Sequence, residues 1–257
     1  PAVSRLAAAL ILGRPVPADI ACLADYERHA RERLPASVWA YIAGAGADGV
    51  TRGWNREAFD RLKLEGRVLA DMKGAHTSIE LFGQSMEAPI LLAPVGFQKL
   101  AHQDGERATA LGAAAGGVTM VVSTQASIAF EEIAASTPGP FWFQLYMQAR
   151  REDTLSLLRR AEDAGFRAVM LTVDAPVSGL RNLEQRTGFR LPEGVEAVNT
   201  RGMQGPVLRS APGQSPVFQG LLDAAPSWKD LEWLRSRTSL PLLLKGPTGC
   251  GKTRFVA

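Results

Sequence analysis

The chain contains few residues of the kinds that hold metals or form disulfides. Its 257 residues include two cysteines, Cys22 and Cys250, and three histidines, His29, His76 and His102. The cysteines lie far apart in the sequence, which excludes a disulfide framework and a zinc site built from paired cysteines. We expect no bound metal and a cytoplasmic location.

Excess charge and long apolar runs are also scarce. The net charge is +3, from 29 basic and 26 acidic residues spread along the chain, and predicts no nucleic-acid partner. No apolar run approaches the ~18 residues that a membrane helix needs, so no membrane span is expected. Residues 1–19 contain an apolar run too short to favour a secretory signal, and we expect an N-terminal arm there.

Residues 20–88 are predicted to form a lead-in to the main domain. Apolar residues recur at helical spacing over 20–60. A glycine-rich break at 44–49 fits G-x-G-x-x-G, but a helical stretch rather than a strand precedes it, which favours a turn between helices. Thr51 is the expected N-cap of the next helix. Alternating apolar and polar residues over 62–88 indicate a short antiparallel element.

From residue 89 onward, β-type runs alternate with helical stretches. The runs lie at 89–95, 118–123, 141–147, 168–173 and 241–244, and the helices at 104–115, 130–135, 151–164 and 228–237. The runs are continuously apolar, as a parallel sheet covered on both faces requires. This pattern predicts an α/β fold, either a doubly wound open sheet or a TIM (β/α)8-type barrel that is incomplete, with about five of eight strands.

Two further segments complete the predicted organisation. Residues 89–246 would form the partial barrel, interrupted by a loop at 177–227 that is rich in Gly, Pro, Arg and Ser. A loop of this length is usually functional or mobile. Residues 247–257 would form a tail that does not belong to the barrel.

Polar side chains or tight backbone follow each predicted strand. In a TIM barrel the carboxyl ends of the strands form the active site, so we predict a site at this edge. Its candidate residues are Pro94, Val95, Gly96, Ser123, Thr124, Gln144, Tyr146, Thr172, Asp174 and Lys245.

A second motif supports a different function. Gly246–Thr253 fits G-x-x-x-x-G-K-[ST], follows a predicted strand and resembles the P-loop of an AAA+ ATPase. Lys252 would reach the β- and γ-phosphates and Thr253 would hold Mg²⁺. Only four residues follow the motif, too few for a Walker B strand. An NTP-binding module remains the alternative hypothesis.

Several segments carry a family resemblance, among them APVGFQKLAH (93–102), FQLY (143–146), LTVDAP (171–176), SWKD (227–230) and LPLLLKG (240–246). In sequence and in order along the chain, they resemble the FMN-dependent 2-hydroxy acid oxidase and dehydrogenase family, which includes glycolate oxidase, lactate oxidase and mandelate dehydrogenase. The resemblance covers roughly residues 20–245 and implies a TIM barrel that binds FMN.

The resemblance also implies roles for matching residues. The backbone of Pro94, Val95 and Gly96 would face the flavin N5 edge, and the side chains of Ser123, Gln144 and Thr172 would hydrogen-bond the isoalloxazine ring. Lys245 would lie by flavin N1 and O2, where positive charge stabilises the negative charge left by hydride transfer.

Other matching residues would act on the substrate. Tyr41 and Arg181 would bind the substrate carboxylate, for which a guanidinium supplies two parallel N–H groups. Tyr146 would contact the substrate hydroxyl, and Asp174 would orient the catalytic histidine. The family's substrates are small 2-hydroxy acids, and its members are often homotetramers.

The sequence departs from the family just after Gly246. The resemblance leads us to expect a histidine base after a sixth strand, a second carboxylate-binding arginine, and Asp-Gly-Gly and Gly-Arg segments for the FMN phosphate, and none of these follows Gly246. We therefore expect the N-terminal part of an enzyme that oxidises an (S)-2-hydroxy acid to a 2-oxo acid by hydride transfer to flavin N5. This truncated chain is expected to be inactive. A further alternative is a catalytically silent fragment that binds FMN weakly or not at all. With the strand that ends in Lys245 as an unpaired edge, it is also expected to aggregate or to need a partner.

Overall fold

A computed structural model describes residues 19–205, 215, 217, 222 and 225–246, and the backbone of 255–256. The helices are α1 (Asp25–Arg33), α2 (Ala36–Ala43), α3 (Val50–Arg61), α4 (Gly105–Ala115), α5 (Phe130–Ser136), α6 (Arg151–Asp163), α7 (Asn182–Thr187) and α8 (Trp228–Arg235). The strands are β1 (Ile79–Leu81), β2 (Gln84–Met86), β3 (Leu91–Leu92), β4 (Thr119–Ser123), β5 (Phe141–Leu145), β6 (Val169–Thr172), β7 (Leu242–Lys245) and β8 (Phe255–Val256). The P-loop-like motif beyond Gly246 and most of the expected N-terminal arm lie outside the described residues.

Five parallel strands form a curled half-barrel with helices in the connections between them. The strand order is β3-β4-β5-β6-β7, and each neighbouring pair is parallel. This architecture confirms the predicted incomplete TIM-type barrel of five strands, as opposed to a doubly wound sheet. Of these five strands, β3 is the shortest, because Pro89 and Pro94 flank it and proline has no N–H to donate to a neighbouring strand.

Both faces of the parallel sheet are apolar, because successive side chains on a strand point to opposite faces. One face packs with the surrounding helices in a large core that includes Val122, Phe143 and Leu171. The other face carries a smaller cluster of Val121, Trp142, Ala168 and Leu243, all buried. This smaller cluster lines the concave side of the half-barrel.

The hairpin formed by β1 and β2 packs against that smaller cluster. The Phe82 ring lies 5.7 Å from the Trp142 ring, centroid to centroid. The indole N–H of Trp142 donates to Gln84 Oε1 at 3.3 Å, and the Gln84 amide donates to the Thr119 hydroxyl. The antiparallel element predicted within 62–88 is therefore confirmed over β1 and β2, whereas Leu64 in the preceding segment is fully exposed.

Two sequence predictions about element ends are wrong. Helix α3 begins after Gly49, which has a φ of +74°, so Thr51 lies inside the helix and is not its N-cap. Glycine adopts this left-handed backbone without the steric penalty of a side chain. The edge of β7 is not unpaired either, because β8 pairs with it antiparallel at Leu242 and Leu243.

The chain divides into two compact units. One contains Ile79–Ser178 and the described residues from Pro192 onward; the other contains the described residues up to Ser78 and Gly179–Leu191. Within the second unit, the glycine-rich segment 44–49 joins α2 to α3, as predicted for a turn between helices. In the part of the chain that the structure describes, no helix is long and apolar enough to span a bilayer.

Helix α8 begins with a capping box that also connects it to α6. The Asp230 carboxylate accepts hydrogen bonds from the Ser227 hydroxyl at 2.7 Å, the Ser227 N–H at 2.9 Å and the Arg151 guanidinium at 2.7 Å. These contacts, led by the Ser227 hydroxyl, lower the pKa of Asp230 to about 2. The Arg151 guanidinium also lies 4.7 Å from the centroid of the Trp233 ring.

Replacing Asp230 with asparagine should lower stability in a pH-dependent way. At pH 7 we expect Asp230→Asn to lose about 0.5–2 kcal/mol of unfolding free energy, as for other lost helix caps. The native carboxylate has a pKa below the ~3.9 of an unfolded chain, so its contribution is complete above about pH 5 and is lost as the pH falls toward 2. Urea denaturation at several pH values measures this difference. Asp163→Asn, on an exposed side chain, is the control; an equal effect from both variants would contradict the assignment.

Candidate active site

Three buried polar side chains form a continuous hydrogen-bonded chain at the carboxyl ends of neighbouring strands. The Ser123 hydroxyl donates to Gln144 Oε1 at 3.1 Å, and Gln144 Nε2 donates to Thr172 Oγ1 at 3.0 Å. Each residue is at most 5% exposed. The second N–H of Gln144 and the Thr172 hydroxyl proton have no acceptor among the described residues. Both donors therefore remain available to a ligand at this edge.

Lys245 extends this polar row to the last parallel strand. It ends β7 and lies opposite Thr172 in the strand register. Its side chain is half-buried, and no described residue hydrogen-bonds or ion-pairs with its ammonium group. Lys245 therefore contributes an uncompensated positive charge beside the neutral donors.

The backbone of the segment after β3 approaches the segment after β4 closely. The Phe97 N–H donates to the Gln125 carbonyl at 3.0 Å. A Cβ atom on Gly96 would lie 3.1 Å from the Gln125 Cβ and 3.2 Å from its carbonyl oxygen. Such contacts are tight, so glycine at this position permits the approach. The Pro94–Gly96 backbone is thus held at the same strand edge as Ser123.

Tyr146 and Asp174 follow β5 and β6 at this edge. Tyr146 is half-buried, and Asp174 is exposed. Burial, together with the negative charge of Asp174, raises the pKa of the Tyr146 phenol. The phenol therefore remains a neutral hydrogen-bond donor over the physiological range.

The second compact unit brings Tyr41 and Arg181 together. The Arg181 guanidinium donates to the Tyr41 carbonyl oxygen at 2.9 Å and forms an ion pair with Glu184. The Tyr41 ring stacks on Phe189 with centroids 4.6 Å apart. Two of the five guanidinium N–H groups are used in these contacts, which fix the orientation of the guanidinium and leave three donors for an anion.

Sequence reasoning missed the residue that fixes the turn after β4. Asn199 is 1% exposed, and its Oδ1 accepts from the Phe130 N–H at 3.1 Å. The Asn199 carbonyl accepts from the Arg160 guanidinium at 3.0 Å. Asn199 follows β4 by more than seventy residues, in the long loop, so no local pattern signals these contacts.

A parallel half-barrel with hydrogen-bonding groups at its carboxyl edge defines a TIM-type α/β protein with a candidate binding site at the strand ends. Comparison with known protein families identifies the family to which this protein belongs. The profile of the family described as FMN-dependent dehydrogenase matches residues 30–248. The chain belongs to this family.

Individual relatives agree with that assignment. An L-lactate oxidase of Alicycliphilus denitrificans is 43% identical over 223 residues, which cover 86% of this chain and 61% of the relative. Glycolate oxidase 3 of Arabidopsis thaliana is 39% identical over 230 residues, which cover 89% of this chain and 62% of the relative. A solved mandelate oxidase variant with (S)-mandelic acid is 36% identical with a TM-score of 0.77, and the match covers 88% of this chain and 62% of that one. The chain spans about 60% of the length of these proteins.

FMN is the cofactor of this family, and the strand-end residues fit part of it. The isoalloxazine ring carries hydrogen-bonding nitrogen and oxygen atoms along one edge, which suit the free donors of Gln144 and Thr172. The Lys245 ammonium suits an edge that gains negative charge on reduction. The described residues therefore offer donors and a positive charge of the kind that the ring requires, and no Asp-Gly-Gly segment occurs in the sequence.

The raised pKa of Tyr146 is directly measurable. The chain has three tyrosines, so Tyr26→Phe and Tyr41→Phe leave Tyr146 as the only phenol to titrate by ultraviolet absorbance. We expect it to ionise above its ordinary pKa of about 10. Adding Asp174→Asn should lower the pKa without restoring it fully, because burial remains. Asp163→Asn is the control at an exposed carboxylate; an unchanged pKa in the Asp174 variant would contradict the interaction.

Proposed function

We propose that the strand-end residues of this chain hold the isoalloxazine ring of FMN in an enzyme that oxidises an (S)-2-hydroxy acid to a 2-oxo acid. The observation that carries the proposal is the row from Ser123 through Gln144 to Thr172, with Lys245 beside it, whose ammonium group has no partner in the part of the chain that the structure describes. A prearranged row of donors suits a planar heterocycle because binding then requires little ordering of side chains. Bound FMN would supply the acceptor for the substrate hydride.

The proposed substrate contacts belong to side chains with matching chemistry. Arg181 is held in a fixed orientation and has three N–H donors without an acceptor among the described residues, which suits a carboxylate. We assign Tyr41 to the same carboxylate. The Tyr146 phenol, kept protonated by its raised pKa, would donate to the substrate hydroxyl, and Asp174 would orient a histidine base. Lactate, glycolate and mandelate, the acids in the relatives' names, are the candidate substrates.

The matched residues do not include a base for the substrate hydroxyl. A base must come within hydrogen-bond reach of the proton that it removes. His29 lies in α1, His76 lies in the exposed segment before β1, and His102 accepts from the Asp104 N–H at 3.2 Å at the start of α4. His29 and His76 precede the half-barrel in the chain, and His102 follows β3 but lies at the start of α4. We therefore expect the 257-residue chain to hold a flavin without oxidising a 2-hydroxy acid. A cytoplasmic location and assembly into homotetramers complete the proposal.

Flavin titration tests this proposal. Because the assigned residues contact the ring alone, riboflavin and FMN should bind with dissociation constants within a few-fold of each other. Lys245→Met should weaken the binding of both by about tenfold or more, the range for a lost charge-assisted hydrogen bond. Quenching of flavin fluorescence on binding gives the constants. Lys63→Met, at an exposed lysine of the second unit, is the matched control.

Other outcomes of the titration would contradict the proposal in distinct ways. No binding of either flavin, or equal binding by the Lys245 and Lys63 variants, would overturn the ring site. Much tighter binding of FMN than of riboflavin would show a phosphate site in this chain. If Lys252→Ala then removed that preference, and ATP with Mg²⁺ raised the melting temperature, the NTP-binding alternative would be favoured. Anaerobic addition of lactate or glycolate should leave the visible flavin band unbleached.

A further inference from the structure

Glu106 is a fully buried carboxylate for which the proposed function has no role. It lies in the first turn of α4 and is 0% exposed. No lysine, arginine or histidine pairs with it among the described residues. Burying an unpaired charge is costly unless hydrogen bonds compensate for it. The identity of its hydrogen-bond donors therefore indicates what the carboxylate does.

Its donors come from two separate segments at the strand ends. Oε1 accepts from the Gln98 N–H at 3.0 Å and from the Ser127 N–H at 2.9 Å, and Oε2 accepts from the Ser127 hydroxyl at 2.8 Å. Gln98 follows β3, and Ser127 follows β4. The Ser127 hydroxyl in turn accepts from the Lys99 N–H at 3.1 Å. One carboxylate thus joins the two segments through three charge-assisted hydrogen bonds.

These contacts fix the backbone on either side of Gly96. On the side before it, the Val95 carbonyl accepts from the Gln98 side-chain amide at 3.2 Å. On the side after it, the Gln98 N–H donates to Glu106. The Gln98 side chain is held as well, because its carbonyl oxygen accepts from the Thr109 hydroxyl at 2.5 Å. Thr109 lies one turn beyond Glu106 on α4, so the same helix holds both the backbone and the side chain of Gln98.

We infer that Glu106 is a positioning residue that sets the place of the Val95–Gly96 backbone at the flavin site, an inference that rests on the proposed function. The pattern of donors suits a carboxylate, because both of its oxygens accept. A glutamine would offer one acceptor oxygen and would direct its N–H₂ group at the Ser127 hydroxyl, so the bond that this hydroxyl donates to Oε2 would be lost. Glu106→Gln therefore keeps the size of the side chain and removes part of the connection.

The test compares Glu106→Gln with Glu132→Gln, which removes the same charge from an exposed ion pair with Arg107. We expect Glu106→Gln to weaken riboflavin and FMN binding about 5- to 50-fold, the range for a buried hydrogen-bonding group left unpaired. It should also alter the visible circular dichroism of the bound flavin. Loss of a negative charge alone would strengthen the binding of anionic FMN. The direction of the change in FMN affinity therefore distinguishes a positioning role from an electrostatic one. Glu132→Gln should change neither quantity.

Amide hydrogen exchange supplies a readout that needs no flavin. In Glu106→Gln, exchange should accelerate in peptides that contain residues 94–100 and 125–129 and stay unchanged in β5. If the variant fails to fold, Ser127→Ala removes one donor and should weaken flavin binding about two- to fivefold. The inference would be overturned if the variant had a lower melting temperature but unchanged flavin affinity, flavin circular dichroism and amide exchange. If the wild-type chain binds no flavin, the proposed function fails, and exchange alone decides whether Glu106 fixes the segment.

Discussion

The alternation of side chains along five parallel strands determines where everything else in the half-barrel lies. Each strand must bury one face against helices and the other against the concave interior. On β5, Phe143 and Leu145 pack with the helices, whereas Trp142 and Gln144 share the interior face. The interior therefore changes from apolar at Trp142 to polar at Gln144 within two residues. A ligand at the carboxyl edge would therefore meet polar side chains, with the apolar layer beneath them.

This constraint also explains why the sequence predicted the half-barrel well. A parallel strand buried on both faces is largely apolar, and 118–123, 141–147 and 168–173 are apolar except at Thr119, Ser123, Gln144 and Thr172. Polar residues near the ends of such runs contrast with the apolar residues before them, so Ser123, Gln144 and Thr172 are recognisable from the sequence as site candidates. Their roles toward FMN stay predictions, because no ligand contact tests them. The register that lets Gln144 bridge its two neighbours is a property of the sheet and is not encoded within any one strand.

Features that depend on contacts distant in sequence were not predictable. The sequence misplaces the start of α3 because the Thr51 side chain has the chemistry of an N-cap. The actual N-cap, Gly49, has a left-handed backbone conformation that glycine adopts readily. The pairing of β8 with β7 was missed because two residues carry no periodic pattern. Asn199 and Glu106 look like ordinary polar residues in a loop and a helix. Their importance comes from donors on other segments, and in the case of Asn199 the Phe130 amide lies 69 residues away.

Holding a flavin and reacting with a substrate make different physical demands on the chain. Holding the ring requires donors fixed in position, and the strand ends supply them from a rigid sheet, with Gln144 anchored on both sides. Reaction also requires a group that changes its protonation state near neutral pH, usually a histidine. Among the groups at this edge, amides and alcohols do not titrate there, and the Tyr146 phenol has its pKa raised further from neutrality. The buried row from Ser123 to Thr172 is thus suited to orient and polarise a bound group, and this row contains no group that titrates near neutral pH.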